Sequence, residues 1–274
     1  MEWIVETDAA AYGRRVLPWL QQDPIRNTVP ATVLTARLDG TLPADGVWTA
    51  WLSDAGAVAA VALRTPPRGV LHTALPDGAA ATLAAVVPAG LPGASGPVPD
   101  VRAFVHAYAA RTRSRPALDH LVRLYRLDTL VPPPPVPGRL RPLTAAEVGL
   151  LERWSVAFTA DAHTLDEPVP GLAARLIEQG RQLVWEVDGE PVCLVGHRRP
   201  VAGVPRIGPV YTPPEHRRRG YAAAAVAATC ARLLEAGAAA VVLFADTANP
   251  TSTGVYVRLG FRPVADQEDW RLEY

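Results

Sequence analysis

The chain contains no lysine. All 27 of its basic side chains are arginine, and 27 acidic residues balance them, so the formal charge is zero. An average charge of zero provides no long-range field for nucleic acid or an anionic membrane, and neither is expected as a partner. Two cysteines are too few for a disulfide scaffold. Cys193 falls in an expected strand and Cys230 in an expected helix, both in apolar surroundings that suit buried free thiols. No stretch is apolar for long enough to cross a bilayer, and the opening Met-Glu-Trp-Ile-Val-Glu lacks the basic and apolar regions of a secretory leader. A cytoplasmic location is therefore expected. No residues recur at metal-ligand spacing, so no metal is expected, and neither a Ser-His-Asp set nor an activated cysteine emerges. What the chain does have is apolar material: 49% of 274 residues, enough for one large core or two modest ones.

Taken in order, the sequence predicts a helix over 8–20, a second helical or mixed segment to Leu38, and a hairpin of 46–53 and 57–64 around Asp54-Ala55-Gly56. A short strand at 70–73 leads to a helix capped by Asp77 and running to Val87. Residues 90–99 read as loop, Asp100 as the cap of a helix to about Arg111, and 121–130 as a strand. The run Val-Pro-Pro-Pro-Pro-Val-Pro at 131–137 prefers polyproline II geometry and reads as a semi-rigid linker between domains of 1–130 and 138–274. Beyond it come an edge strand at 138–142 and a helix capped by Thr144 and Glu147, with Val148, Leu151 and residues 154–156 inward. A helix over 171–179, a hairpin of 182–187 and 192–197 across Asp188-Gly189, and a strand at 207–212 follow. The last elements are a helix at 221–236, an apolar strand at 239–245, a short helix capped by Thr251 or Ser252 and ending at Gly260, and strands at 261–264 and 269–273. The fold class is α+β, with mixed, twisted sheets flanked by helices, and the first half echoes the order of the second as a diverged duplicate would.

One stretch has the chemistry of a phosphate site. Residues 206–222 read Arg-Ile-Gly-Pro-Val-Tyr-Thr-Pro-Pro-Glu-His-Arg-Arg-Arg-Gly-Tyr-Ala: a strand, a stiff turn, three arginines and a helix start. The first amides of a helix have no partner within it, and the helix dipole adds positive charge there. Gly220 and Ala222 keep bulk away from those amides, while Arg217, Arg218 and Arg219 add mobile charge. Within the strand, Pro209 cannot donate a ladder hydrogen bond, so a bulge or a splayed edge is expected.

Arg217-x-x-Gly220-x-Ala222 after an apolar strand, followed by a helix, an apolar strand, Asn249-Pro250 and Tyr256-x-x-x-Gly260-Phe261, resembles the second half of the GNAT superfamily of N-acetyltransferases. The resemblance covers 138–274 by motif and the first half by topology only, which makes the chain similar to tandem GNAT-like domains with a degenerate N-terminal copy. There the helix is entered through Ala-Leu-Pro-Asp-Gly, whose Asp77 would repel a diphosphate, so that half reads as a structural partner or a wall of the acceptor pocket. The resemblance implies acetyl-CoA as cosubstrate, with the arginines, Gly220, Tyr221 and Ala222 at its diphosphate and backbone groups of Val210, Tyr211 and Thr212 along its pantetheine arm. Asn249 would bond the arm, bridge the strands, or simply form a turn. Tyr256 would meet the leaving sulfur, or else be a core tyrosine tied to backbone. A phenol titrates near about 10 and a thiol near about 8.5, so this tyrosine would act mainly by hydrogen bonding. Glu186, His197, Asp161 and His163 are candidate bases, a water chain is equally compatible, and Glu215 and His216 are set aside because they lie in the phosphate loop. The implied activity is acetyl transfer to a primary amine, a peptide N-terminus or a lysine by direct attack. The alternative is a non-catalytic acyl-CoA sensor or interaction module with the same fold. Without lysine, the chain cannot acetylate its own lysines. Neither the acceptor nor the oligomeric state is legible.

Overall fold

A computed structural model describes residues 1–42, 46–162 and 169–274. The chain divides into two compact units, one of Met1–Leu124, Asp246–Ala248 and Val264–Tyr274, the other of Tyr125–Ala245 and Asn249–Pro263. The last strand therefore begins in the second unit and ends in the first, and the proline run 131–137 lies inside the second.

The first unit holds β1 (Glu2–Val5), α1 (Ala9–Leu20), α2 (Thr28–Leu38), β2 (Trp48–Asp54), β3 (Ala57–Arg64), β4 (Val70–His72), α3 (Ala79–Val86), β5 (Gly93–Pro97), α4 (Asp100–Thr112) and most of β6 (Arg115–Leu127). β1 to β4 pair antiparallel in chain order, and β4 then pairs parallel with β5 through Val70↔Ala94 and Leu71↔Ser95. Strand alternation sorts the side chains by face. Ala50, Leu52, Ala60, Ala62 and Val70 join Leu83, Phe104, Val105 and Tyr108 in one core. Trp51, of opposite parity, lies beneath α1, where the Arg15 guanidinium stacks 5.1 Å from its ring. Tyr12 ties α1 to the sheet, its buried hydroxyl within 3.2 Å of the Ala50 carbonyl and 2.9 Å of that of Ala62.

Three local readings change here. Residues 93–97 form a strand rather than a loop, because pairing on both edges outweighs their Gly and Pro content. The glycines are what allow it: a Cβ at Gly96 would sit 2.4 Å from the His72 ring, and one at Gly93 would sit 2.1 Å from the Trp270 carbonyl oxygen. Gly78, in the left-handed region at φ 78°, opens α3 in place of Asp77. Asp100 is the first residue of α4 rather than its cap, and its carboxylate accepts the Leu75 N–H at 2.8 Å.

The second unit holds β7 (Arg139–Pro142), α5 (Val148–Asp161), α6 (Leu172–Glu178), β8 (Gln182–Val187), β9 (Glu190–His197), β10 (Arg206–Tyr211), α7 (Tyr221–Glu235), β11 (Val242–Asp246), α8 (Pro250–Arg258) and the start of β12 (Phe261–Glu273). β7 to β10 pair antiparallel in order, and β11 joins β10 in parallel. Leu183, Cys193 and Val195 face the core containing α7 and Tyr256, whereas Val184 and Leu194 face Leu151 and Ile177 of α5 and α6. Glu147 accepts the Thr144 N–H at 2.8 Å in the expected capping box, on a single 3-10 turn ahead of α5. Asp188 and Gly189 both take positive φ, as a tight hairpin turn requires. Val156 is 58% exposed, against the expectation that it points inward. The C-terminus is one long strand rather than two short ones; its polar residues pair instead of looping, and Glu268 is buried against Arg102. The sequence of helix pair, hairpin, third strand, helix, parallel strand and helix is the same in both units, in keeping with the α+β expectation.

His72 gives the first unit a titratable weak point. It is 1% exposed; Nδ1 lies 2.8 Å from the Thr73 carbonyl, and Nε2 has no partner among the described residues. Burial holds its pKa below the ordinary value, opposed by the Thr73 bond and by Asp100. An imidazole whose folded pKa is depressed stabilises the fold above its unfolded pKa, and that stability is lost as the pH falls below about 6.5. We expect melting temperature to fall between about pH 6.5 and pH 5, and His72→Gln to flatten that slope whatever it does to stability at neutral pH. An unchanged slope in the variant would remove His72 from the account.

Candidate active site

The second unit's sheet parts where Pro209 enters it. β10 pairs with β11 only at Arg206↔Val242 and Ile207↔Leu243, and its register with β9 shifts between Ile207 and Val210. Pro209 has no N–H for the ladder, and Gly208 at φ 146° supplies a backbone geometry that other residues resist. Beyond this bulge, Val210 and Tyr211 keep β9 as partner but have left β11. By the pleat, half of their backbone groups face the side that β11 has vacated.

The chain then turns through Pro214–His216 into α7. Gly220 caps the helix at φ 85° without a side-chain cap, and the Ala224 N–H is the first to reach an i−4 carbonyl, that of Gly220 at 3.1 Å. The amides of Tyr221, Ala222 and Ala223 precede that bond and have no intrahelical acceptor. Arg218 and Arg219 are exposed, and Arg218 itself takes a left-handed φ of 64°. Arg217 is engaged: Nε donates to the Thr212 carbonyl at 2.9 Å, Nη2 pairs with Asp161 at the end of α5, and the guanidinium lies 6.0 Å from the Tyr211 ring.

Tyr256 comes from α8 into the core on the α7 face, 9% exposed, with its ring edge-on to Phe261 at 6.1 Å. Among the described residues its hydroxyl has no hydrogen-bond partner, so the tie to backbone that a purely structural tyrosine would make is not seen. Burial, with smaller effects from Cys193 and Cys230, raises its pKa above the ordinary phenol value. Both cysteines are free and buried, each pushed up to about 12 by desolvation. The Thr212 hydroxyl donates to Cys193 Sγ at 3.3 Å, a contact that no motif or spacing indicates. Asn249 caps α8, its Oδ1 accepting the Ser252 N–H at 3.0 Å, so the capping role expected of Thr251 or Ser252 belongs to it. Its side-chain NH2 takes no part in that cap.

The candidate bases are scattered. Glu186 is clamped by Arg141 and Arg139, which hold its carboxyl below the usual range. His197 pairs with Ile207 at the closed end of the strand pair, its pKa lowered by burial and by Arg181 and Arg232. Asp161 is bound to Arg217, and His163 lies outside the described residues. In the loop itself, His216 Nε2 sits 3.5 Å from Glu190. Among the described residues there is no metal-binding cluster, and no helix is long and apolar enough to cross a membrane.

Comparison with known proteins agrees with this geometry. Residues 149–261 match the model of the acetyltransferase (GNAT) family. No curated sequence matches the chain. Among solved structures, a GNAT-family acetyltransferase from Colwellia psychrerythraea superposes with a TM-score of 0.63 at 10% identity, covering 100% of both chains. A GCN5-related N-acetyltransferase from Sphaerobacter thermophilus gives 0.61 at 16% identity over 98% of this chain and 95% of that one. Another from Kribbella flavida gives 0.56 at 18%, over 89% and 95%. At such identities these likenesses speak for the fold, and they extend it over the N-terminal half that the family model does not reach. The segment in which β10 parts from β11 beneath the Gly220 helix start thus lies within the residues that match the acetyltransferase (GNAT) family model, in a chain that has the fold of GNAT acetyltransferases along its whole length.

Proposed function

We propose that the protein transfers an acetyl group from acetyl-CoA to a primary amine, by direct attack of the amine in a ternary complex. The observation that carries this reading is the two-pair limit of β10–β11 contact directly before an uncapped helix start, inside a domain of an acetyltransferase family.

The residues present fit a CoA-type ligand. The amides of Gly220, Tyr221 and Ala222 form a donor set for a diphosphate, with Arg218 and Arg219 free to approach and Arg217 able to exchange Asp161 for phosphate. Backbone groups of Val210, Tyr211 and Thr212 on the side left by β11 suit the amides of a pantetheine arm, and the Asn249 NH2 is a further donor. When bound, the cosubstrate supplies an activated thioester. An N–H from the bulged strand polarises its carbonyl, a contribution worth roughly 3–4 kcal/mol where such donors have been removed. Tyr256, kept protonated by burial, would donate a hydrogen bond to the sulfur, which leaves as the thiolate as the C–S bond breaks and the C–N bond forms, and the amine's proton would leave to solvent. The first unit differs in the loop ahead of its helix start, although Gly78 also opens α3 without a side-chain cap. At the corresponding place in the first, Asp100 already occupies the Leu75 N–H.

Two experiments address the reading. With acetyl-CoA and a panel of amines, thiol release should fall about 10²-fold or more in Tyr256→Phe while CoA still binds. CoA binding without turnover on any amine would instead mark a sensor, and no heat of binding with millimolar CoA would end the proposal. Second, Arg218→Ala with Arg219→Ala removes two exposed cations worth about 0.5–2 kcal/mol together, so the Kd for CoA should rise roughly two- to thirtyfold, less at high salt. An unchanged Kd at low salt would move the diphosphate elsewhere.

A further inference from the structure

The proline run is not a free linker. Its first residue is tied down by the Val131 N–H on the Leu259 carbonyl at 3.0 Å, just after the Asp128 N–H reaches that of Gly260 at 3.1 Å. Its last is held by the Trp185 indole N–H, which donates to the Pro137 carbonyl at 2.8 Å. The next residue, Gly138, is wedged so tightly that a Cβ there would lie 2.5 Å from Trp185 Nε1. The four prolines between these anchors, with Pro137 itself, hold the chain near one extended conformation. Leu130 and Val136 turn inward against the core that contains Tyr221, Tyr256 and Leu259.

Val136 is the consequential contact. Its Cγ1 lies 3.0 Å from where a Cβ on Gly220 would be, against the residue whose left-handed φ sets the direction of the first α7 amides. A stiff segment fixed at both ends and pressed on that turn limits the turn's freedom to reorient. We propose that residues 131–137 are a positioning strap for the diphosphate of the cosubstrate, with Val136 holding the Gly220 turn and the Trp185–Pro137 bond holding Val136 in place. The inference rests on the acetyl-CoA reading, but it assigns binding strength to residues outside the Arg-x-x-Gly-x-Ala loop.

Trp185→Phe keeps an aromatic ring and removes the anchoring N–H; Val136→Ala keeps the anchor and removes the contact. Each should raise the calorimetric Kd for CoA and the KM for acetyl-CoA about three- to tenfold, the scale of one lost hydrogen bond or packing contact, with kcat within about twofold. The discriminating probe is acetyl-pantetheine, which has the same thioester and arm but no diphosphate. Its kcat/KM should be the same in wild type and both variants. Loss of activity toward both thioesters alike would show a merely structural strap, as would an unchanged Kd for CoA in Val136→Ala. Failure of wild-type protein to bind CoA would instead strike the functional reading beneath it. If Trp185→Phe does not fold, Val136→Ala decides alone.

Discussion

A strand that contains proline cannot pair on both edges along its whole length, and the second unit is arranged around that constraint. Pro209 interrupts β10 after two residues of parallel pairing, and the bulge it forces turns Val210 and Tyr211 away from β11 while β9 keeps hold of them. Backbone groups on the abandoned side need partners, since leaving them buried and unpaired costs about 1–3 kcal/mol each. The helix that follows adds unpaired amides of its own, because a glycine cap has no side chain to offer them. Strand edge and helix start together form a run of donors and acceptors whose natural complement is a long polar ligand with a negatively charged end.

The first unit shows the same short parallel pairing without a proline in its strand. β4 also pairs with β5 for two residues only, and α3 also opens from a left-handed glycine, Gly78. There, however, the Asp100 carboxylate takes the Leu75 N–H, and the His72 ring packs into the space that Gly96 lacks a side chain to fill. Thr73 doubles back onto β3, its hydroxyl accepting the Val61 N–H at 2.9 Å. One topology thus carries different side chains at the two helix entries: Asp100 and His72 fill the first, while arginines precede the second.

Those side chains also explain what the sequence could and could not reveal. Pro209, Gly220 and the arginines announce themselves, because each is a residue type with a local backbone or charge consequence that needs no knowledge of the rest of the chain. Residues 93–97 mislead for the same reason: glycine and proline read locally as loop, and only the neighbouring strands and the His72 ring show why glycine is required there. The roles of Asp100 and Arg217 are likewise tertiary. Nothing in the spacing 75–100 or 161–217 hints at a bond between those positions. The proline run was legible as stiff, but not as anchored, because its anchors are an indole in β8 and a carbonyl after α8.

Under the proposed reaction, the two faces of the second unit's sheet are chemically unequal. On the α7 face, Tyr256, Cys193 and Cys230 are all pushed toward their protonated forms by burial, so none is suited to take a proton from an amine. Glu186 is bonded to two arginines, which hold its carboxyl below the usual range. The opposite face carries Tyr211 and Trp154, rings 6.0 Å apart, with Arg217 and Asp161 beside them at the end of α5. Under the proposed reading, hydrogen bonding to the leaving sulfur therefore belongs to the α7 face.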